Sequence, residues 1–118
     1  MMLELNELGH VIVSRTLSFG DKATIIIRIG QPFIPPDYGS NFCCPYQLEG
    51  IGDGKIRYGS GIDGLQALYI ALINISTDLY TSEEAQAGQI TWEGERDLGL
   101  PFAEAIKDFV PKRHGFGS

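Results

Sequence analysis

Three places in the chain hold residues suited to chemistry. Cys43 and Cys44 are adjacent and are the only two cysteines. A thiolate pair can serve as a redox couple or, joined by His10 and His114, as a metal ligand set. The spacing fits neither. Structural zinc sites draw on four ligands in patterns such as Cys-x2-Cys, and none is present. A disulfide between neighbours closes a strained ring, and no further cysteine exists to pair with either. A cysteine nucleophile needs a base within hydrogen-bond reach, whereas His10 stands just before an expected strand and His114 in the C-terminal tail. No catalytic, metal-binding or cofactor-binding residue is assigned, and no cofactor is expected. Because neighbouring strand residues face opposite ways, one thiol is expected in the core and the other at the surface.

Carboxylates form the second group: Glu83-Glu84, then Glu93, Glu95 and Asp97, with the single tryptophan, Trp92, beside them. If 89–97 is extended, these last three acids project on one side at period two. Such a row could hold a cation, transfer protons or receive a basic protein. It is also what a solvated edge looks like when it discourages sheet-to-sheet pairing. Aromatic anchors ringed by charge are enriched in interfaces, while a lone Trp on a short strand is ordinary core packing. Trp92, Glu93, Glu95 and Asp97 are therefore the candidate partner-binding residues, with a basic protein as partner. The third place, Gly52-Asp53-Gly54, lacks the lysine of a phosphate loop and the alternating carboxylates of a calcium loop, and reads as a turn.

The elements that must position these residues belong to one domain, 1–118, of ordinary globular composition: 43% hydrophobic and 20% charged. That length and apolar share allow a core without disulfides or metals. Nine basic against fifteen acidic residues leave a net charge of −6, which argues against nucleic acid, since phosphate binding needs clustered Lys and Arg. Eight acidic and two basic residues fall between Asp78 and Asp108. No stretch approaches ~20 apolar residues, so no membrane span is expected. The N-terminal residues lack a basic region followed by an apolar block, so no secretory signal is read and a cytoplasmic location is expected.

Alternation places strands at 10–19 and 22–29. Parity selects a three-residue loop, Gly20-Asp21-Lys22, pairing Phe19 with Ala23 and Leu17 with Ile25 so that one face stays apolar. Segment 31–41, with Pro32, Pro35 and Pro36, reads as an extended surface loop. Strands at 44–51 and 55–60 are expected around Gly52-Asp53-Gly54, pairing Leu48 with Tyr58 and Glu49 with Arg57, with Gly54 left-handed. A helix over 64–79 opens on the cap Asp63 with Gln66 three residues on. Leu65, Leu68, Tyr69, Leu72, Ile75 and Leu79 form its expected core face. Ile70 and Ile73 lie off that stripe and need a second cover, supplied by a C-terminal helix from Pro101 through Phe102, Ile106 and Phe109 or by a second subunit. The fold class is thus α+β: a four-stranded antiparallel meander, extended to five if 90–93 joins it, crossed by one main helix, with a short C-terminal helix.

Cys44-Pro45-Tyr46-Gln47-Leu48-Glu49-Gly50, then Gly52-Asp53-Gly54-Lys55, then Asp63 with Gln66-Ala67-Leu68, resemble the core of a bacterial family of small uncharacterised proteins, a domain of unknown function. The resemblance runs from about Val11 to Leu100. Cys44 alone matches the motif, and Cys43 departs from it. The family carries no established activity, so the resemblance supplies no catalytic residues; it implies a bacterial cytoplasmic origin.

Two functions are compatible with these features. One is a non-enzymatic acidic module that binds a basic protein, as an immunity, inhibitor or adaptor protein does, as a monomer or homodimer. The other is a small-molecule-binding domain or small enzyme with a pocket between the sheet and the Pro-rich loop 31–41, near Tyr38, Tyr46 and Tyr58.

Overall fold

A computed structural model of the chain describes residues 5–36 and 39–112. Tyr38 and His114 lie outside them. Five strands form one antiparallel sheet in the order β4-β3-β2-β1-β5, and an α-helix packs on it, giving an α+β fold. The strands are β1 (Val11–Phe19), β2 (Ala23–Gly30), β3 (Phe42–Glu49), β4 (Arg57–Gly61) and β5 (Ile90–Thr91). The helices are α1 (Gly64–Tyr80) and one short turn, α2 (Glu83–Gln86). No helix among the described residues is long and apolar enough to cross a membrane.

The first hairpin has the register that parity demands: Phe19 faces Ala23 and Leu17 faces Ile25. Leu17, Ile25, Ile27 and Ile29 are buried on one face. Ser18 and Phe19 then pair with Thr91 and Ile90, so the first strand is bordered by the last.

The second hairpin corrects the expected register. Tyr58 faces Pro45 and Arg57 faces Tyr46, rather than Leu48 and Glu49. The reason is local chemistry between the strands. The carboxylate of Asp53 accepts the Lys55 N–H at 2.9 Å and the Gln47 side-chain amide donates to the Gly54 carbonyl at 2.9 Å. These bonds hold residues 50–56 as a loop wider than a three-residue turn. Gly54 is left-handed within it, at φ 69°. The anticipated Glu49–Arg57 pair is replaced by Arg28–Glu49 at 3.2 Å and Arg57–Asp53 at 3.4 Å.

Helix α1 starts where its cap chemistry places it. Asp63 accepts the Gln66 N–H at 2.9 Å, and the Gln66 side chain accepts the Ile62 N–H at 2.7 Å. Its buried face is a second correction. Ala67, Ala71, Ile75 and Leu79, one ridge of i+4 steps, face the core together with Ser76 and Tyr80. Leu65 and Tyr69, assigned to the core by their size, are 75% and 53% exposed. Glycines in β4 explain the rotation. A Cβ on Gly59 would overlap the backbone of Ala67 and Ala71, and one on Gly61 the backbone of Ala67. Helix and strand therefore meet backbone to backbone, and only small side chains fit between them.

Helix α1 lies over β3 and β4. The returning chain completes the rest of the core with Ile90, Leu98, Leu100 and Ile106. In place of the expected C-terminal α-helix there is an extended segment and a six-residue 3-10 helix, Glu104–Phe109. It buries Ile106 and leaves Phe109 exposed. The Ser76 hydroxyl donates to the Pro101 carbonyl, tying this segment to the helix.

Both cysteines are fully buried, against the expectation of one in and one out. Cys44 lies in the main core cluster, with its thiol 3.5 Å from the Gly30 carbonyl. Cys43 lies on the other face, which is itself covered. Its N–H and carbonyl pair with Phe33 at 2.7 and 2.9 Å, Pro45 is buried beside it, and Leu8 presses against Gly30. The N-terminal stretch thus packs on this face through Leu8, while the Pro-rich segment extends the sheet edgewise through the Phe33–Cys43 bridge, neither of which alternation alone reveals.

Candidate functional site

The acidic segment does not run straight. The Trp92 N–H donates to the Glu95 carbonyl at 2.8 Å, and the Glu95 N–H to the Trp92 carbonyl at 2.9 Å. Between them Glu93 and Gly94 are both left-handed, with φ 51° and 80°. This is a two-residue hairpin of the type I′ kind. The period-two row expected of Glu93, Glu95 and Asp97 is therefore replaced by a reversal that leaves Glu93 and Glu95 at an exposed tip.

Asp97 is turned into the fold. Its carboxylate accepts the Gly99 N–H at 2.9 Å and the Tyr80 hydroxyl at 3.3 Å, while that hydroxyl accepts the Leu98 N–H at 2.8 Å. Trp92 is half-buried and held between two neighbours. The Arg15 guanidinium lies 3.9 Å from its ring centroid, and Gly99 packs so closely that a Cβ there would meet the indole. Arg15 also donates to the Leu98 carbonyl at 2.8 Å. Arg96 donates to the carbonyls of Gln86 and Ala85, at 3.1 and 3.4 Å, clamping the hairpin to α2, which carries Glu83 and Glu84. Of the four residues singled out from sequence, two present charge at a turn tip and two brace it. Arg15, the cation stacked on Trp92, was readable only as an interruption of an apolar strand face.

Thiol chemistry is opposed by the surroundings of the cysteines. Burial pushes both thiols up to about 11, and for Cys43 the neighbouring Cys44 adds to the shift. Nucleophilic cysteines need the opposite shift. Among the described residues no group of three or more His, Cys, Asp and Glu side chains could hold a metal ion.

A cleft of about 1030 Å³ opens at the other end of β3, lined by Tyr46, Arg57, Asn74, Thr77 and Asp78 and by the loop through Gly54. Tyr46 and Tyr58, two of the tyrosines named for the expected pocket, line it, and the described residues of the Pro-rich segment are not among its lining. The buried Tyr46 donates its hydroxyl to Asp78 at 2.8 Å. Burial, then the hydrogen bond and negative charge of Asp78, raise the phenol's pKa well above its ordinary value. At the rim the Lys55 N–H, followed by the Arg57 charge, holds the exposed Asp53 carboxyl below the ordinary range. The sequence signal for this site was Asp78, the first charge after Asp63 in an otherwise uncharged helix.

No curated protein and no solved structure matches the chain. A family model described as Domain of unknown function (DUF6968) matches residues 13–102, most of the chain, and the protein belongs to that family.

Proposed function

We propose that the protein is a non-enzymatic, acidic protein-binding module of the bacterial cytoplasm, of the immunity, inhibitor or adaptor type, whose partner is basic. The observation that carries this reading is the braced hairpin. Glu93 and Glu95 stand exposed on a tight turn whose base is fixed by the Trp92–Arg15 stack and the Asp97–Tyr80 bond. Charges held in fixed positions steer a partner of opposite charge and exclude wrong ones. The test is affinity capture from the native cytosol, followed by association kinetics of the captured protein with the variant Glu93→Gln/Glu95→Gln. The variant should keep its fold and associate more slowly at low salt, with the difference shrinking at high salt. Equal rates for variant and wild type would place the interface elsewhere.

A second reading is favoured by the cleft, where the Tyr46–Asp78 pair, Arg57 and Asn74 could orient a small polar molecule. A compound released on denaturing the purified protein, and absent from the Asp78→Asn variant, would establish it.

A further inference from the structure

The described lining of the cleft holds two acids, Asp53 and Asp78, and two bases, Lys55 and Arg57. It is therefore charge-balanced, in a chain of net charge −6. Its polar groups are also sorted by wall. Asn74, Thr77 and Asp78 stand at i, i+3 and i+4 on α1 and share one face. Donors on this wall are spent within the protein. The Asn74 amide donates to the Tyr58 carbonyl at 3.2 Å, the Thr77 hydroxyl to the Ile73 carbonyl at 3.1 Å and the Tyr46 hydroxyl to Asp78 Oδ2 at 2.8 Å. What the wall keeps for the cleft is chiefly acceptors: Oδ1 of Asp78, the Thr77 oxygen and the amide oxygen of Asn74. Thr77 and Asp78 lie in the last turn of α1, which holds no basic residue. The negative end of the helix dipole thus adds to the Asp78 charge, and both favour a cation. The strand wall carries the cations. Arg57 faces Tyr46 across the ladder, and Asp53 engages it through Nη2 at 3.4 Å. The Lys55 ammonium has no ion-pair partner among the described residues. Tyr46, opposite Arg57 at its backbone and bonded to Asp78 at its hydroxyl, spans from one wall to the other.

We propose that the cleft binds a zwitterion of the size of a di- or tripeptide, with its ammonium on the helix wall and its carboxylate on Arg57 and Lys55. This rests on the reading of the cleft as a small-molecule site and adds the ligand's chemistry to it. An ammonium has three donors, matching the acceptors of Asp78, Thr77 and Asn74. A guanidinium fork suits a carboxylate. A cation alone would leave Lys55 and Arg57 without an anion, and an anion alone would leave the helix wall without a donor. A ligand with both groups satisfies both walls and keeps the cleft neutral. At about 1030 Å³ the space exceeds what a single amino acid fills, and it stands at the top of the roughly 300–1,000 Å³ typical of sites for drug-sized ligands.

The experiment is calorimetric titration of the full-length protein with trialanine, N-acetyl-trialanine and trialanine amide. Trialanine should bind at one site, and blocking either end should weaken it about ten-fold or more, the loss of one charge-assisted contact. Asp78→Asn should weaken trialanine to the same extent and leave N-acetyl-trialanine unchanged. Lys55→Gln/Arg57→Gln should likewise weaken trialanine and leave trialanine amide unchanged. A variant that merely loosened the fold would weaken all three peptides alike, and that uniform loss overturns the proposal. So does equal affinity of the wild type for the three peptides, or no binding of trialanine. A compound with one charge or none, released on denaturing the wild type and absent from Asp78→Asn, overturns the zwitterion while the small-molecule reading of the cleft stands. With neither a released compound nor peptide binding, both fall.

Discussion

The adjacent thiols illustrate how a residue's chemistry follows from what surrounds it. With both fully buried, replacing either by Ser puts a more polar hydroxyl into the interior at a cost of about 1–3 kcal/mol, least at Cys44, where the hydroxyl can keep the Gly30 carbonyl as acceptor. Both Cys43→Ser and Cys44→Ser should thus lower the thermal midpoint, and a silent position would show that its side of the sheet is open. Their titration has a definite sign. Folding raises each thiol from an ordinary 9.0 to about 11, so the native state favours the neutral form. That contribution is fully present below pH 9.0 and is lost as pH rises through about 11. Thermal midpoints should fall over that window, and less steeply in Cys43→Ala/Cys44→Ala; equal slopes would assign the alkaline loss to other groups, Tyr46 among them. At Gly99 a methyl group would strike Trp92, and φ is +65°. Gly99→Ala should expel the indole from its place over Arg15, read as a red shift in tryptophan emission.

Elements were readable from sequence where one local rule acted alone. The register of β1 on β2 follows from parity, because a three-residue loop is the one that keeps Leu17 and Ile25 on the same face. The cap at Asp63 follows from a carboxylate with a glutamine three residues on. The errors arose where a distant element set the rule. The phase of α1 depends on Gly59 and Gly61, which demand Ala67 and Ala71 opposite them, so the larger Leu65 and Tyr69 are displaced outward. The spacing Gly-x-Gly followed by Ala-x3-Ala was present, but its meaning needs the strand and the helix to be known as neighbours. The acidic hairpin turned on Glu93-Gly94, a pair whose left-handed geometry is uncommon for glutamate. Gly59→Ala and Gly61→Ala should each destabilise the protein by about 1–3 kcal/mol or more through overpacking, measured by urea denaturation. Leu65→Ala, at an exposed position, should lie within about 0.5 kcal/mol of wild type.

Over the whole molecule, the segment after Asp97 closes the core. Leu98, Leu100 and Ile106 are buried in the same cluster as Leu17 and Ile25, and a buried aliphatic side chain contributes about 1.5–3 kcal/mol. Losing three of them removes an amount comparable to the roughly 5–15 kcal/mol that holds a domain together. A chain ending at Asp97 should accordingly lose its cooperative thermal transition. A sharp transition retained in the shortened chain would show that β1–β4 and α1 suffice. The cover is an extended strap with a 3-10 turn rather than the expected helix, because Pro101 and the bond from Ser76 hold it along α1.

The bordering of the first strand by the last has a consequence for synthesis on the ribosome. Ser18 and its partner Thr91 are 73 positions apart, and at roughly 5–20 residues per second the second is made several seconds after the first. A β-hairpin forms in about 1–10 μs, so β1 and β2 can be paired long before β5 emerges. For those seconds the nascent sheet shows a bare edge along all of β1. Neighbouring ribosomes on one message hold that edge at high local concentration, so until β5 and the Trp92 hairpin are made it is a part of the sheet open to mispairing.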